Sequence, residues 1–371
     1  MFRMNFFDKR IISHFDFVTV ILVIPIILLS YNLVNEINDT LGNKQLLYYS
    51  IALFAFVVVF YMPLRKWLII IPIFYWVGIL LLIMVELFGV SKLGAKRWIE
   101  LPFVGLTIQP SELIKPIYLL MLGYLIKHRP PPKEGYGVKD FIILSLYIML
   151  PTILIAKEPD LGTALIFALV GFGTLFIVGV RLKIWIVIVV FLGAISPLLY
   201  TYAIKDYQKK RIADFISEEP SYHVRQSIIA IGSGGLIGKS VDEATQAQLK
   251  FLPIATSDFI FAYLIERYGF IGGFGLILIY FLLIIHLLYY NYHFSEDYLL
   301  KVFSTGLALL FFLNMSVNVL MVIGFAPVVG LPLPMFSYGG SSFINYAVLI
   351  AILENLNTFR YKDSYNFERR L

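Results

Sequence analysis

A chain of 371 residues that is 59% apolar and 15% charged, with a mean hydropathy of +0.83, carries more hydrocarbon than a water-soluble globule can hide and is expected to be an integral membrane protein. Its formal charge of +6 is modest and sits beside apolar runs, a pattern that argues for membrane topology and against nucleic-acid binding. The absence of cysteine removes disulfides, thiolate nucleophiles and cysteine metal sites.

The first apolar run starts near Phe17, behind Arg3, Lys9 and Arg10, and no small-residue cleavage pattern follows, so it is expected to remain as an anchor. Runs long enough to approach the roughly 20 residues of a span lie near 17–34, 46–62, 67–88, 112–126, 141–156, 161–180, 184–203, 259–290, 302–325 and 341–355. The expected fold is therefore an all-α polytopic membrane protein of about ten transmembrane helices, in one domain over 1–371, with a large outer loop (204–257) between the seventh and eighth. The 259–290 run exceeds what a span needs, which predicts a tilted or extramembrane start. With the N-terminus inside, Arg65, Lys66, Lys127, Arg129, Lys133, Lys139, Arg181, Lys183, Arg360, Lys362, Arg369 and Arg370 all fall on the inner side. Two outer segments run against this grain. Lys92, Lys96 and Arg97 lie in 89–111, and Lys205, Lys209, Lys210, Arg211, Arg225, Lys239 and Lys250 lie in 204–257, which suggests an anionic ligand outside. Pro130 to Pro132 reads as a stiff inner spacer, and no internal repeat is visible.

The outer hairpin sequence GAKRWIELPFVGLTIQPSELIKP places Lys96 and Arg97 beside Trp98, and sets Glu112 and Lys115 three apart on one helix face. This is either a basic pocket with an aromatic anchor or ordinary interfacial furniture with a local ion pair. Ser111 is expected as an N-cap, with Pro116 distorting the first turns of the same helix. Asp160, in KEPDLGTAL, stands where an N-cap would. Asp258, in FLPIATSDFIFA, follows Thr256 and Ser257 at the edge of an apolar run, where a carboxylate needs pairing, hydration or a task; capping and catalysis both remain open. The glycines of RQSIIAIGSGGLIGKS do not make a nucleotide P-loop, since five residues and not four separate Gly232 from Gly238; they suit close backbone packing or a phosphate nest. His14, His128, His223, His286 and His293 lack metal-ligand spacing, and neither a metalloprotease nor a serine-hydrolase motif is present. Near the C-terminus, GFAPVVGLPLPMFSYGGSSF predicts a re-entrant, site-forming loop, because irregular backbone at membrane depth must be buried in protein or line a cavity.

Taken in order, GAKRW at 94–98, QPSELIK at 109–115, EPDLGTA at 158–164, AIGSGGLIGKS at 230–240, FLPIATSDFIFA at 251–262 and PVVGLPLPMFSYGGSS at 327–342 resemble the SEDS family of bacterial cell-wall proteins (shape, elongation, division and sporulation), its elongation members more than its division members. The resemblance implies a peptidoglycan glycosyltransferase that polymerises lipid II at the outer face of the bacterial cytoplasmic membrane. It implies Asp258 as the essential aspartate, and Lys96, Arg97, Trp98, Glu112, Lys115, Asp160, Ser337 and Tyr338 as substrate-binding residues. Glu266, Gln226 and Ser227 take supporting places. The implied partners are membrane lipid, a class B penicillin-binding protein supplying transpeptidase activity, and proteins of the elongation complex. The sequence departs from the family in lacking a Glu and a His shortly before Asp258, in carrying Glu158 where Gln is common, and in placing Arg267 where a second Glu is frequent.

On this reading Asp258 takes the proton of an attacking sugar hydroxyl, and Lys96, Arg97 and Lys115 neutralise the departing pyrophosphate. One base suffices for inversion. Alternatively, Asp258 ligates a divalent cation such as Mg2+ or Mn2+. The rivals are a lipid II flippase, which needs polar residues through the depth of the bundle, and an inert scaffold, which tolerates Asp258→Asn.

Overall fold

The computed structural model describes residues 9–92, 95–100, 107–158, 160–198, 200–201, 209, 213, 215, 221–244, 246, 254–294 and 296–360. Among the described residues the regular structure is helical apart from one small sheet. A short α1 (Lys9–His14) leads into α2 (Phe17–Ile37), which Asp16 caps by accepting from the backbone N–H groups of Val18 and Thr19. Asn38 then ends α2 and caps α3 (Asp39–Tyr61) through Thr40 and Leu41. That cap explains why α3 begins seven residues before the apolar run expected at 46: the polar stretch DTLGNKQ is helical because its free N–H groups are met. After a 3-10 turn comes α4 (Ile71–Phe88), then an antiparallel sheet of β1 (Val90–Lys92), β2 (Ala95–Glu100) and β3 (Thr107–Ile108), in which Trp98 sits opposite Val90 and Lys96 opposite Ser91.

The remaining helices are α5 (Pro110–His128), α6 (Val138–Lys157), α7 (Leu161–Val178), α8 (Leu182–Leu198), α9 (Tyr222–Gly234), α10 (Ile260–His293), α11 (Tyr298–Val322) and α12 (Gly340–Thr358). Among the described residues seven helices are long and apolar enough to cross a membrane: α2, α3, the 68–88 helix containing α4, α6, α7, α10 and α11. The other three expected runs are helical too, as α5, α8 and α12. These depart from the lipid-facing pattern for visible reasons. α5 carries Glu112, Lys115 and Lys127, α12 is buried almost continuously from Phe343 to Thr358 with Asn345, Glu354, Asn355 and Asn357 inside, and α8 is only 17 residues long with none buried. Of the outer loop expected over 204–257, the described part holds α9, the stretch that follows it and the start of a turn at 254–259.

The core forms where α12 packs on α3, α10 on α11, and α5 on α4 and α11. One end of the bundle is locked by buried polar groups. The Asp16 carboxylate accepts from Thr19 Oγ1 at 2.6 Å and Tyr290 at 2.7 Å and meets His286 Nε2 at 2.6 Å, while the Asp16 N–H donates to Glu354 at 3.0 Å. Arg65 reaches Asp297 at 2.5 Å and the Leu356 carbonyl at 2.7 Å. Deep polar groups are tolerated because each is met by another. The opposite end carries the sheet, the turn at 254–259 and the segment 326–339.

The long α10 is not one rod. Gly269 adopts φ 66°, ψ −170°, splitting a stub (260–268) from the apolar span that follows, as the excess length of the run predicted. The cause is a strap formed by 235–239. Lys239 N–H donates to the Glu266 carbonyl at 3.0 Å, Phe270 N–H to Gly235 at 2.9 Å and Ile271 N–H to Leu236 at 3.2 Å. Gly238, at φ 90°, and Gly269 lie so close that a Cβ on either would strike the other's segment. These glycines serve close backbone packing.

Candidate active site

Asp258 lies in the turn 254–259, immediately before the α10 stub. Three capping residue types in a row suggest that one caps the helix, yet α10 has Phe259 at its N-cap position and no side-chain cap. The Asp258 side chain is thus not consumed by the backbone, which removes the bland alternative left open by the sequence. Its carboxylate faces Gly330: a Cβ there would sit 3.5 Å from Oδ2. Burial pushes the carboxyl above the ordinary carboxylate range, with a hydrogen bond from Ser257 pulling the other way.

The turn is held by two elements that the sequence places far apart. Ser337 Oγ donates to the Ser257 carbonyl at 2.6 Å and accepts from Leu333 N–H at 2.9 Å, and Tyr338 N–H donates to the Thr256 carbonyl at 2.9 Å. Asn318, fully buried on α11, donates to the carbonyls of Asp258 at 2.9 Å and Leu331 at 2.7 Å. Among the described residues the two non-glycine positions with positive φ are Ile254 (55°) and Met335 (58°), one in each of these two segments. Left-handed backbone at a branched or bulky residue is strained, and strain of this kind persists where surrounding contacts over-determine it. Ser337 and Tyr338 therefore act on the position of Asp258 through the backbone, the Ser337 hydroxyl being spent within the protein.

A second group of polar residues forms where β2, α5 and α7 begin or end. Asp160 caps α7 by accepting from Thr163 N–H at 3.2 Å, as its sequence position predicts, and also meets Arg97 Nη1 and Gln109 Nε2, each at 3.5 Å. Glu112 and Lys115 form a buried ion pair at 2.5 Å on α5. Ser111 is not the cap expected: α5 starts at Pro110 behind Gln109, and Ser111 accepts from the Gln109 amide at 3.1 Å. Trp98 is half-buried on β2. Lys96 sits on the same strand, its side chain outside the described residues, as are Lys205, Lys210, Arg211 and Lys250 of the outer loop.

The two groups share a wall. Gly162, in the first turn of α7, lies against Val329 and Leu331, a Cβ there reaching 3.2 Å from the Val329 carbonyl, while Gly330 between them faces Asp258. The ribbon 329–331 is thus sandwiched between the Asp160 helix start and the Asp258 turn.

Of the supporting residues, Glu266 is buried on the α10 stub and accepts from Gln246 N–H at 3.1 Å. Arg267, the family departure beside it, pairs with Glu36 at 2.7 Å and donates to the Lys239 carbonyl. Ser227 is buried and donates to the Val322 carbonyl, fastening α9 to the end of α11, and Gln226 is half-buried on α9. Ser227 thus ties α9 to α11, and Glu266 holds the backbone at Gln246. Sequence reasoning missed Asn318 and Gln109, and recorded Glu158 only as a departure. Asn318 had a signal: an amide inside the apolar run LNMSVNVL needs a partner in the bundle.

A metal site requires converging donors, and among the described residues no three His, Asp or Glu side chains are arranged to hold an ion.

The family model FTSW_RODA_SPOVE, described as cell cycle protein, matches residues 7–362. The chain is 51% identical over 362 residues to the peptidoglycan glycosyltransferase MrdB of Helicobacter pylori, covering 97% of this chain and 94% of that one. It is 39% identical over 296 residues to MrdB of Escherichia coli, covering 78% of each, and 32% identical over 323 residues to the probable peptidoglycan glycosyltransferase FtsW of Wigglesworthia glossinidia brevipalpis, covering 84% and 82%. Among solved structures it is similar to a chain from a study of the structural coordination of polymerization and crosslinking by a peptidoglycan synthase complex (TM-score 0.79, 27% identity, 94% of this chain and 99% of that one). It is also similar to the rod shape determining protein RodA of Thermus thermophilus (TM-score 0.70, 25% identity, 94% and 98%).

Proposed function

The chain belongs to the FTSW_RODA_SPOVE family of cell cycle proteins, and from that membership we propose that it is a peptidoglycan glycosyltransferase that polymerises lipid II at the outer face of the bacterial cytoplasmic membrane during elongation. The observation that carries the reading is the Asp258 carboxylate: raised by burial, not used as a helix cap, and set against the ribbon 329–331, on whose other side lies the Asp160 helix start. The higher identity to MrdB than to FtsW supports the elongation role.

The reaction joins an acceptor sugar hydroxyl to the anomeric carbon of a second unit whose lipid pyrophosphate leaves. A hydroxyl is a poor nucleophile, and Asp258 in its ionised form takes the proton as the C–O bond forms. A raised pKa makes the carboxylate a stronger base once ionised. Attack opposite the leaving group converts an α-linked donor into a β-linked product with one base. The departing pyrophosphate gathers charge, which Arg97, Lys96 and Lys115 offset through charge-assisted hydrogen bonds. The buried Glu112–Lys115 pair holds Lys115 at the mouth of α5, and Asp160 orients Arg97. A divalent cation, Mg2+ or Mn2+, belongs to this proposal as a companion of the pyrophosphate oxygens; the side chains described supply no cage for it, and no step is routed through it. Arg97, Asp160, Glu112 and Lys115 lie where β2, α7 and α5 begin or end, which supports surface chemistry over transport of a headgroup through the bundle. A class B penicillin-binding protein is the proposed partner, in line with the neighbour from a complex that couples polymerization to crosslinking.

The test is lipid II polymerisation by the purified chain with its class B partner, comparing wild type with Asp258→Asn after folding is verified. Glycan strands from wild type alone are expected. Equal polymerisation by both removes Asp258 from the chemistry, and none from either, with lipid II translocated in vesicles, replaces this reading with the flippase.

A further inference from the structure

Glu36 is the penultimate residue of α2, at the helix end where the backbone dipole disfavours an acid. Its partners lie on the Asp258 side of the molecule. The Glu36 carboxylate accepts from Arg267 Nε at 2.7 Å and Nη2 at 3.2 Å, and from the Tyr263 hydroxyl at 3.1 Å. Tyr263 and Arg267 stand four apart, on one face of the stub 260–268. The remaining arm of the guanidinium, Nη1, donates to the Lys239 carbonyl in the strap, and the Tyr268 ring lies 5.4 Å from the cation. The two charged side chains are 11% and 20% exposed, so the pair is largely withdrawn from solvent. A lysine would bring the same charge as a point, whereas the planar fork of arginine grips both carboxylate oxygens and a carbonyl together. A second bond ties α2 to the site. Ser30 donates to the Phe336 carbonyl at 2.5 Å and accepts from Gln45 of α3 at 2.8 Å, and Phe336 precedes Ser337, whose hydroxyl holds the Ser257 carbonyl. One helix thus grips both sides of the Asp258 turn: the stub through Glu36, and the segment 333–338 through Ser30.

We propose, resting on the reading of Asp258 as the base given above, that Glu36 and Arg267 are positioning residues for polymerisation. The pair fixes the stub to α2, the helix that also holds the 333–338 segment, so that the Asp258 turn and the ribbon it faces share one frame. Gly269 breaks the helix behind the stub, and the apolar span cannot by itself fix how the stub is rolled about its own axis. Glu36 supplies that constraint by holding two residues on one face of the stub while the strap holds its end. Arg267 stands where a second Glu is frequent in the family, and an ionised glutamate there cannot pair with Glu36. In this chain the two residues are therefore matched to each other, and either one changed alone is expected to misplace the base.

Two measurements on the full chain with its class B partner test it. In the first, lipid II polymerisation is followed for wild type, R267E, E36R and the exchanged pair E36R/R267E. Each single variant sets like charges together and should lower kcat by about ten- to a hundredfold with KM little changed, as displacement of a reacting group by up to about 1 Å does. The exchanged pair should recover about tenfold over the worse single variant. Recovery stays incomplete because a carboxylate at 267 cannot donate to the Lys239 carbonyl. R267E within about twofold of wild type, or an exchanged pair no better than either single variant, overturns the proposal. In the second, hydrogen exchange of the backbone amides over 254–268 is measured without substrate. R267E should speed it and the exchanged pair should slow it again; equal exchange in all of them overturns the proposal as well. Where charge reversal prevents folding, E36Q decides, being neutral and of the same shape. It should speed exchange over 254–268 and lower kcat by about threefold or more, and wild-type behaviour in both refutes the pairing role. If wild type itself forms no glycan strands while exchange still follows the pair, the polymerase reading falls and the hold of α2 on the Asp258 turn stands.

Discussion

Asn318 offers the sharpest test of how the Asp258 turn is held. Its side-chain amide spans two chain segments, donating to the Asp258 carbonyl at 2.9 Å and the Leu331 carbonyl at 2.7 Å in a fully buried setting. Asn318→Ala removes both bonds, each worth about 1 kcal/mol net, and strands two carbonyls whose desolvation costs about 1–3 kcal/mol each unless water reaches them. With partial relief by water the loss should be about 2–4 kcal/mol. The functional effect should be larger than the stability effect. Asp258 and the ribbon 329–331 lose their common clamp, and a shift of about 1 Å at a reacting group costs about a hundredfold in rate. Thermal unfolding in detergent, read alongside polymerisation of lipid II by the fraction that remains folded, separates the two. Asn318→Leu, similar in volume but without donors, should behave like Ala in rate while recovering part of the packing loss. An Ala variant that unfolds at the wild-type temperature and polymerises within about twofold of wild type refutes the clamp.

Three further outcomes follow from the same geometry. Asp258→Asn should reduce polymerisation by about a hundred- to ten-thousand-fold without unfolding the chain, and the ascending limb of the wild-type pH profile should lie above the ordinary carboxylate range, because the base is active only once its raised pKa has been passed. Lys115→Met should destabilise by about 3–5 kcal/mol, because it leaves Glu112 charged and buried, and the double variant Glu112→Gln/Lys115→Met should recover most of that loss in thermal unfolding while remaining poor in activity. Gly238→Ala should fail to insert a stable strap, since φ is 90° and a Cβ would strike the Arg267 carbonyl; Gly232→Ala, with open space around it on α9, should be neutral or stabilising by up to about 1 kcal/mol, and limited proteolysis of the 235–239 segment would tell them apart.

The apolar runs located the long helices because burial in lipid demands an unbroken hydrocarbon length, while α1 and α9 lie outside those runs, and local chemistry located the Asp160 cap because capping needs only the next three residues. What the sequence left open depended on distant chain. Thr256, Ser257 and Asp258 are equivalent as caps by residue type, and the decision among them is made by Ser337, Tyr338 and Asn318, 60 residues or more away, which fix the turn so that none caps α10. Ser111 lost its expected place because Gln109 and Pro110 start the helix two positions earlier. Glu158 reads locally as another polar residue at a helix end; that both its oxygens are enclosed depends on elements packed from other parts of the chain. Ser227 and Glu266 bond to the Val322 carbonyl and the Gln246 N–H, contacts that only the folded chain brings together.

The break at Gly269 has a mechanical consequence. The Asp258 turn is borne by a nine-residue stub, 260–268, tied to its own strap, and not by the head of a rigid 34-residue rod. A helix that spans a bilayer answers to thickness by tilting, and a rod of this length would swing its tip by several ångströms for a tilt of only about ten degrees. With the axis broken at the glycine, the tip does not follow the span as one lever: the strap, bonded to Glu266 on one side and to Phe270 and Ile271 on the other, sets the angle between the two segments, and the carboxylate keeps its bearings on the ribbon and on Asn318. The enzyme's geometry is thereby insulated from the membrane in which it works.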